Sequence, residues 1–266
     1  MGYAEYGDPE GKPVMSFHGN NGSRLDYISW DAMIKNHGIR LIALDRPGFG
    51  LSDLKQGFQL ADYPSDITEL ADGLGLDKFA IAAFAMATHF ALPVAIKIPE
   101  RLTGFFMIAG AFPKPLYKMP NVILLKIGTW YLNGKLKDKK KFSTFFRKQL
   151  MKMDKAKPDI EIFSKPEYET FMQNALDSSY EGYHRSLTGF INDMKVLSQP
   201  WAFDFKDISP SLPAFIFQGE EDPYENLSTV RKIAETIPNC TAKYYPGEGT
   251  TSLVVNKIDE ILDAMR

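Results

Sequence analysis

The sequence predicts an α/β protein: a doubly wound, mostly parallel sheet with helices on both faces, broken by one helical lid insertion. Three observations carry this. Short runs of successive apolar residues recur along the chain. Helix-length amphipathic stretches separate them. One long stretch, from about 113 to 206, shows helical spacing and no convincing strand.

The apolar runs are 13–17 (PVMSF), 40–44 (RLIAL), 79–84 (FAIAAF), 104–109 (GFFMIA), 213–217 (PAFIF) and 242–245 (AKYY). Their apolar residues are successive rather than alternating, which fits strands covered on both faces. Helical spacing fills 88–98, 227–237 and 253–265. Strand and helix in alternation imply a parallel sheet. An insertion at the carboxyl ends of such strands covers the place where open α/β sheets bind ligands. The expected organisation is a core of 1–112 and 207–266 with a helical lid at 113–206.

Composition narrows the function. The chain has 266 residues, 44% hydrophobic and 24% charged, enough for one large domain with an ample core. Its 31 basic and 33 acidic residues nearly balance, so no nucleic-acid partner is expected. The single cysteine, Cys240, excludes an internal disulfide framework and a Cys-rich zinc site. Cys240 has no histidine near it in sequence and reads as a buried structural thiol. Acids are scattered and histidines number four, so no metal site and no cofactor are expected. No run approaches the roughly 18 apolar residues of a membrane span. The first eight residues lack the basic and apolar segments of a secretory leader, and a cytoplasmic protein is expected.

Six local motifs follow one another in order. His18-Gly19-Asn20-Asn21-Gly22 follows the first long apolar run. Leu44-Asp45-Arg46-Pro47-Gly48-Phe49-Gly50 follows the next. Ile108-Ala109-Gly110-Ala111 precedes the helical insertion, and Pro200-Trp201-Ala202-Phe203-Asp204 leaves it. Gln218-Gly219-Glu220-Glu221-Asp222-Pro223 and Pro246-Gly247-Glu248-Gly249 complete the set. Each is weak alone; together, in this order and over nearly the whole chain, they resemble the α/β-hydrolase fold family. The resemblance implies an oxyanion hole from the backbone N–H groups of Asn20 and Met86, a nucleophile at 85, an acid at Asp222 and a histidine base at 250. It also implies a strand and turn ahead of 3–7, which are expected to be missing here.

Two departures break the implied chemistry. The family nucleophile sits in G-x-S-x-G on a sharp strand-to-helix turn; here the run is Ala83-Phe84-Ala85-Met86-Ala87. Ala85 has no heteroatom, and both flanking glycines are alanines, expected to resist the strained turn. The base position is Thr250, whose hydroxyl takes no proton near neutral pH. Asp222 remains, without the imidazole it would orient; it is expected to bond Thr250 or nearby backbone, or to bind a ligand's donor. Four simultaneous differences fit drift after lost catalysis better than a designed single knockout.

None of the histidines replaces the base. His18 is expected to shape the oxyanion loop. His37, in Asn36-His37-Gly38, reads as a solvated helix cap. His89 lies one turn beyond Ala85, within reach of a pocket or satisfied beneath its helix. Tyr183 and His184 lie in the lid, where they can line a pocket. The stretch 134–159 carries ten basic and three acidic residues, with Phe142, Phe145, Phe146 and Leu150 at helical spacing. It reads as a lid helix with a solvated lysine face; membrane-surface contact is the disfavoured alternative.

The expected function is a non-hydrolytic pseudoenzyme holding a small apolar or ester-like ligand, or a partner, under its lid. The alternative is a family enzyme with non-covalent chemistry, a lyase, a cyclase or Asp222-assisted hydrolysis, which Asp222→Asn would abolish.

Overall fold

The computed structural model describes residues 1–112, 134, 138–153, 156–185, 187–197, 199 and 202–266. A seven-stranded sheet runs β1-β3-β2-β4-β5-β6-β7. Its strands are β1 (Tyr3–Gly7), β2 (Lys12–Phe17), β3 (Ile39–Leu44), β4 (Phe79–Phe84), β5 (Leu102–Ile108), β6 (Ala214–Gly219) and β7 (Cys240–Tyr245). Only the edge strand β1 is antiparallel to its neighbour.

β4 shows why a continuous apolar run marks a central strand. Phe79, Ile81 and Ala83 point into one core cluster, and Ala80 and Ala82 into another. Strand side chains alternate between faces, so apolar residues on successive positions require cover on both. Helices α2 (Tyr63–Gly73), α3 (Thr88–Lys97) and α8 (Leu227–Thr236) supply the first cover through Ile67, Phe90, Val94 and Val230. Helices α1 (Asp31–Asn36) and α9 (Thr251–Ala264) supply the second through Ile34, Leu253, Ile258 and Ile261. The sheet is doubly wound, as the alternation of patterns predicts.

Between β5 and β6 the described chain is helical: α4 (Lys139–Met153), α5 (Lys157–Ser164), α6 (Glu169–Tyr183) and α7 (Thr188–Leu197). The segment 113–133, the first part of the predicted lid, lies outside the described residues, as do Pro200 and Trp201 of the exit motif. In α4, Phe142 is buried against Phe49, Tyr183 and Leu187, with Phe146 packed beside it. Lys139 pairs with Asp177 and Arg147 with Glu169. The described part of the basic stretch thus turns aromatic residues inward and ties some of its charges to α6. Among the described residues, no helix is long and apolar enough to cross a membrane.

Two expectations are corrected here. His37 does cap α1, but its ring is only 10% exposed and bridges Asp259 and Asp263 at 2.9 and 3.1 Å. These acids stand one turn apart on α9, so the ring closes the α1–α9 seam instead of facing water. Cys240 is half-buried and packs against the core, and burial pushes its thiol up to about 11.

Candidate functional site

The site is assembled at the carboxyl ends of the central strands. Phe17 pairs with Ala83 in the β2–β4 ladder, and Phe84 with Ile108 in β4–β5. The residues that follow, the His18–Gly22 loop and the turn at Ala85, therefore lie side by side. Gly19 marks the contact: a Cβ there would lie 3.0 Å from the Phe84 ring.

Ala85 has φ +51°, a left-handed conformation that an alanine adopts at a cost of about 1–3 kcal/mol. A 3-10 turn, Ala85–Ala87, leads from it into α3. The sharp strand-to-helix turn is therefore present, and the expectation that Ala83 and Ala87 would resist it is corrected. The surroundings over-determine the turn. β4 is held between β2 and β5, Ala83 and Ala87 are fully buried, and Ala111 N–H donates to the Ala85 carbonyl at 3.0 Å. Ala85 presents only a methyl group, and it is half-buried.

Met86 follows in the first residues of that turn, where leading N–H groups have no partner within the helix. Across from it, Asn20 is fixed through its carbonyl, which accepts from the Tyr183 hydroxyl of α6. Among the described residues its N–H has no acceptor. The Tyr183 hydroxyl also reaches Asn21 Oδ1 at 3.1 Å, and Ser179 Oγ donates to the Asn21 carbonyl. Close approach allows this: a Cβ on Gly182 of α6 would stand 2.6 Å from the Gly22 carbonyl oxygen.

His18 is buried within the loop. Its Nδ1 lies 2.7 Å from the Gly19 carbonyl, and its Nε2 accepts from Arg46 N–H at 3.2 Å. This network assigns a neutral ring with the proton on Nδ1. Burial, then the nearby Arg46 charge, hold its pKa well below the usual histidine range. Arg46 is itself buried and donates to the His18 and Gly19 carbonyls and to Asp193 Oδ2 of α7 at 3.0 Å. Its guanidinium lies 4.8 Å from each of the Phe49 and Phe90 rings. Burial pushes the Asp193 carboxyl up to about 6 against the pull of Arg46.

His89 is buried, with Nδ1 3.1 Å from the Met86 carbonyl, and burial lowers its pKa to about 4. It supports the turn from below as a neutral ring. His184 is half-buried; it contacts the Glu181 carbonyl at 2.9 Å and stacks on Tyr180, both on α6.

Asp222 stands just past β6. Its Oδ1 accepts from Tyr224 N–H at 2.8 Å and Glu225 N–H at 3.2 Å, and its Oδ2 from Gln218 Nε2 at 2.9 Å. Burial raises its pKa, and these donors oppose the rise. The Thr250 hydroxyl stands close enough to join them without closing a hydrogen bond of its own. The expectation that Asp222 bonds nearby backbone holds in this geometry.

Asp159 of α5 was not singled out in the sequence. It is fully buried, and its carboxylate accepts from Thr250 N–H at 2.9 Å, Thr251 N–H at 3.0 Å and Ser252 N–H at 2.7 Å. Locally, Pro158 and Asp159 read as a helix start. No local pattern reveals that the carboxylate caps a different helix. Among the described residues, no group of three or more His, Cys, Asp and Glu side chains is arranged to hold a metal ion.

A family model described as the α/β-hydrolase fold matches residues 12–249. The chain belongs to the α/β-hydrolase fold family. Among its relatives is a pimeloyl-[acyl-carrier protein] methyl ester esterase of Legionella pneumophila (strain Corby), 25% identical over 263 residues, spanning 95% of this chain and 96% of the relative. The fold is similar to that of a carboxylesterase from Nitrososphaera gargenis, with TM-score 0.72 and 17% identity over 98% of this chain and 92% of that one. It is also similar to a bromoperoxidase from Bacillus anthracis, with TM-score 0.70 and 18% identity over 98% and 92% of the two chains. In this α/β-hydrolase, helices α4–α7 form the insertion between β5 and β6.

Proposed function

We propose that this chain is a non-hydrolytic member of the α/β-hydrolase family that binds a small ester-like or apolar ligand beneath a helical lid at 113–206. The observation that carries the reading is the turn at Ala85, which keeps φ +51° yet presents a methyl group. The position across from Asp222 is Thr250, which has no base to offer. Acyl transfer by this family needs both a nucleophile and a base, and losing either removes several orders of magnitude in rate.

A ligand role is supported by what remains. The N–H groups of Asn20 and Met86 suit a carbonyl oxygen. Among the described residues, Thr88 Oγ1 is buried without a hydrogen-bond partner, and buried polar groups are rarely left so. The Legionella relative's name adds an acyl ester as the favoured ligand class. Non-covalent chemistry with Asp222 as base draws support from its raised pKa, but three donors already engage that carboxylate.

The test is hydrolysis of short-chain p-nitrophenyl esters. Wild-type protein is expected to stay near the uncatalysed rate; ordinary esterase efficiency would overturn the reading. The backbone at 85 and the placement of 250 beside Asp222 are both retained, so Ala85→Ser with Thr250→His should raise the rate at least about tenfold over wild type. Each single variant should fall below the pair. No gain in the double variant would show that 85 and 250 are not the lost positions.

A further inference from the structure

Among the described residues, the insertion meets the core along two seams of different character. The first joins α6 and α7 to the loops after β2 and β3. It includes Tyr183 on Asn20, Ser178 on Ser23, Arg24 on Glu181 at 2.7 Å, and the Arg46–Asp193 pair. Two glycines make it close: a Cβ on Gly189 would stand 2.6 Å from the Gly48 backbone. The second seam joins α5 to the start of α9. Among the described residues, apart from apolar packing of Val255 against the Ile162–Phe163 cluster, it rests on Asp159.

Asp159 does for α9 what a local N-cap residue normally does. A helix start leaves N–H groups without intrahelical partners, and an anion there also meets the positive end of the helix dipole. Thr250, the residue at the N-cap of α9, makes no side-chain cap. The three N–H groups go instead to a carboxylate 91 to 93 residues earlier in the chain. Three backbone N–H groups of one helix start thus converge on the single buried carboxyl group of Asp159. Gly249 provides the space: a Cβ there would lie 2.5 Å from Asp159 Oδ2.

We propose that Asp159 is the latch of the insertion, and that the insertion opens at α5 while pivoting on the α6–α7 seam. Opening withdraws three hydrogen bonds from Thr250, Thr251 and Ser252 together, so it also loosens the residue that stands beside Asp222. The latch thereby couples closure of the insertion to the geometry of the site. This inference does not depend on whether the site hydrolyses anything.

Amide hydrogen exchange on the full chain tests it. In wild-type protein, the amides of 250–252 and of α5 should share one opening equilibrium, slower to open than chain ends and faster than β4. Asp159→Ala should speed exchange at both places at least about tenfold, leaving α6 unchanged; Asp159→Asn, which keeps the shape but not the charge, should fall between. Faster exchange at 250–252 alone would make Asp159 a simple cap and overturn the latch. Faster exchange across α6 as well would overturn the pivot. If Asp159→Ala fails to fold, the Asn variant and the wild-type comparison still decide, because unequal opening of α5 and 250–252 in wild-type protein contradicts the proposal.

Discussion

Asp26 lies half-buried where α6 meets the core and accepts from Ser178 Oγ at 2.5 Å. Burial pushes its carboxyl up to about 6 from an ordinary 3.8. Between these values the folded chain holds a proton that the unfolded chain releases, so this group stabilises the fold increasingly as pH falls through that window. His89 works the other way. Its pKa is lowered to about 4, so the unfolded chain takes the proton first and stability falls as pH drops from about 6.5 toward 4. Melting temperatures of Asp26→Asn and His89→Gln against wild type, from pH 7.5 to 4.5, should show opposite slopes. Wild type gains on the Asp26 variant as the solution is acidified and loses ground against the His89 variant. Flat differences would contradict both assignments.

At the scale of elements, the Arg46–Asp193 pair joins the loop after β3, the His18 loop and α7 in one buried contact. Removing one partner of such a pair leaves the other charge buried, which costs about 3–5 kcal/mol. Asp193→Ala is therefore expected to lower stability in urea by about that amount. A change below about 1 kcal/mol would show that Arg46 is held by the carbonyls and aromatic rings alone. The positions of β2–β6 were legible because buried parallel strands are apolar on both faces; β7, an edge strand with alternating exposure, was marked only by the short run 242–245. β1 and α2 were not marked, and of α1 only the end, at Asn36-His37-Gly38, was: β1 is an edge strand with alternating exposure, and α1 is short. The chemistry-bearing motifs were legible as loops in order, since the Asn20, Ala85, Asp222 and Thr250 positions each follow directly from a strand end or helix start.

Across the whole molecule, the two cores share one sheet, and α6 reaches across to the core through Trp30 and Phe171, whose rings are 5.5 Å apart. The described insertion and the core are expected to unfold as one unit in urea. Tryptophan fluorescence and far-ultraviolet circular dichroism should trace coincident transitions; two separated midpoints would show that the insertion melts independently. The latch at Asp159 is compatible with this, because native-state openings are rare excursions measured below the global transition.

The sequence by itself determined the α/β class, the sheet's central strands, the place of the helical insertion and the residue types standing at Ala85, Asp222 and Thr250. Those depend on local periodicity and on motifs set a few residues apart. Tertiary structure alone decided that Ala85 keeps its left-handed turn, that His37 closes a helix seam, and that Asp159 caps a helix over ninety residues away. Each depends on what packs against a residue from a distant part of the chain, and neither the strain a neighbourhood can enforce nor the partner a buried charge finds is written in the residues beside it.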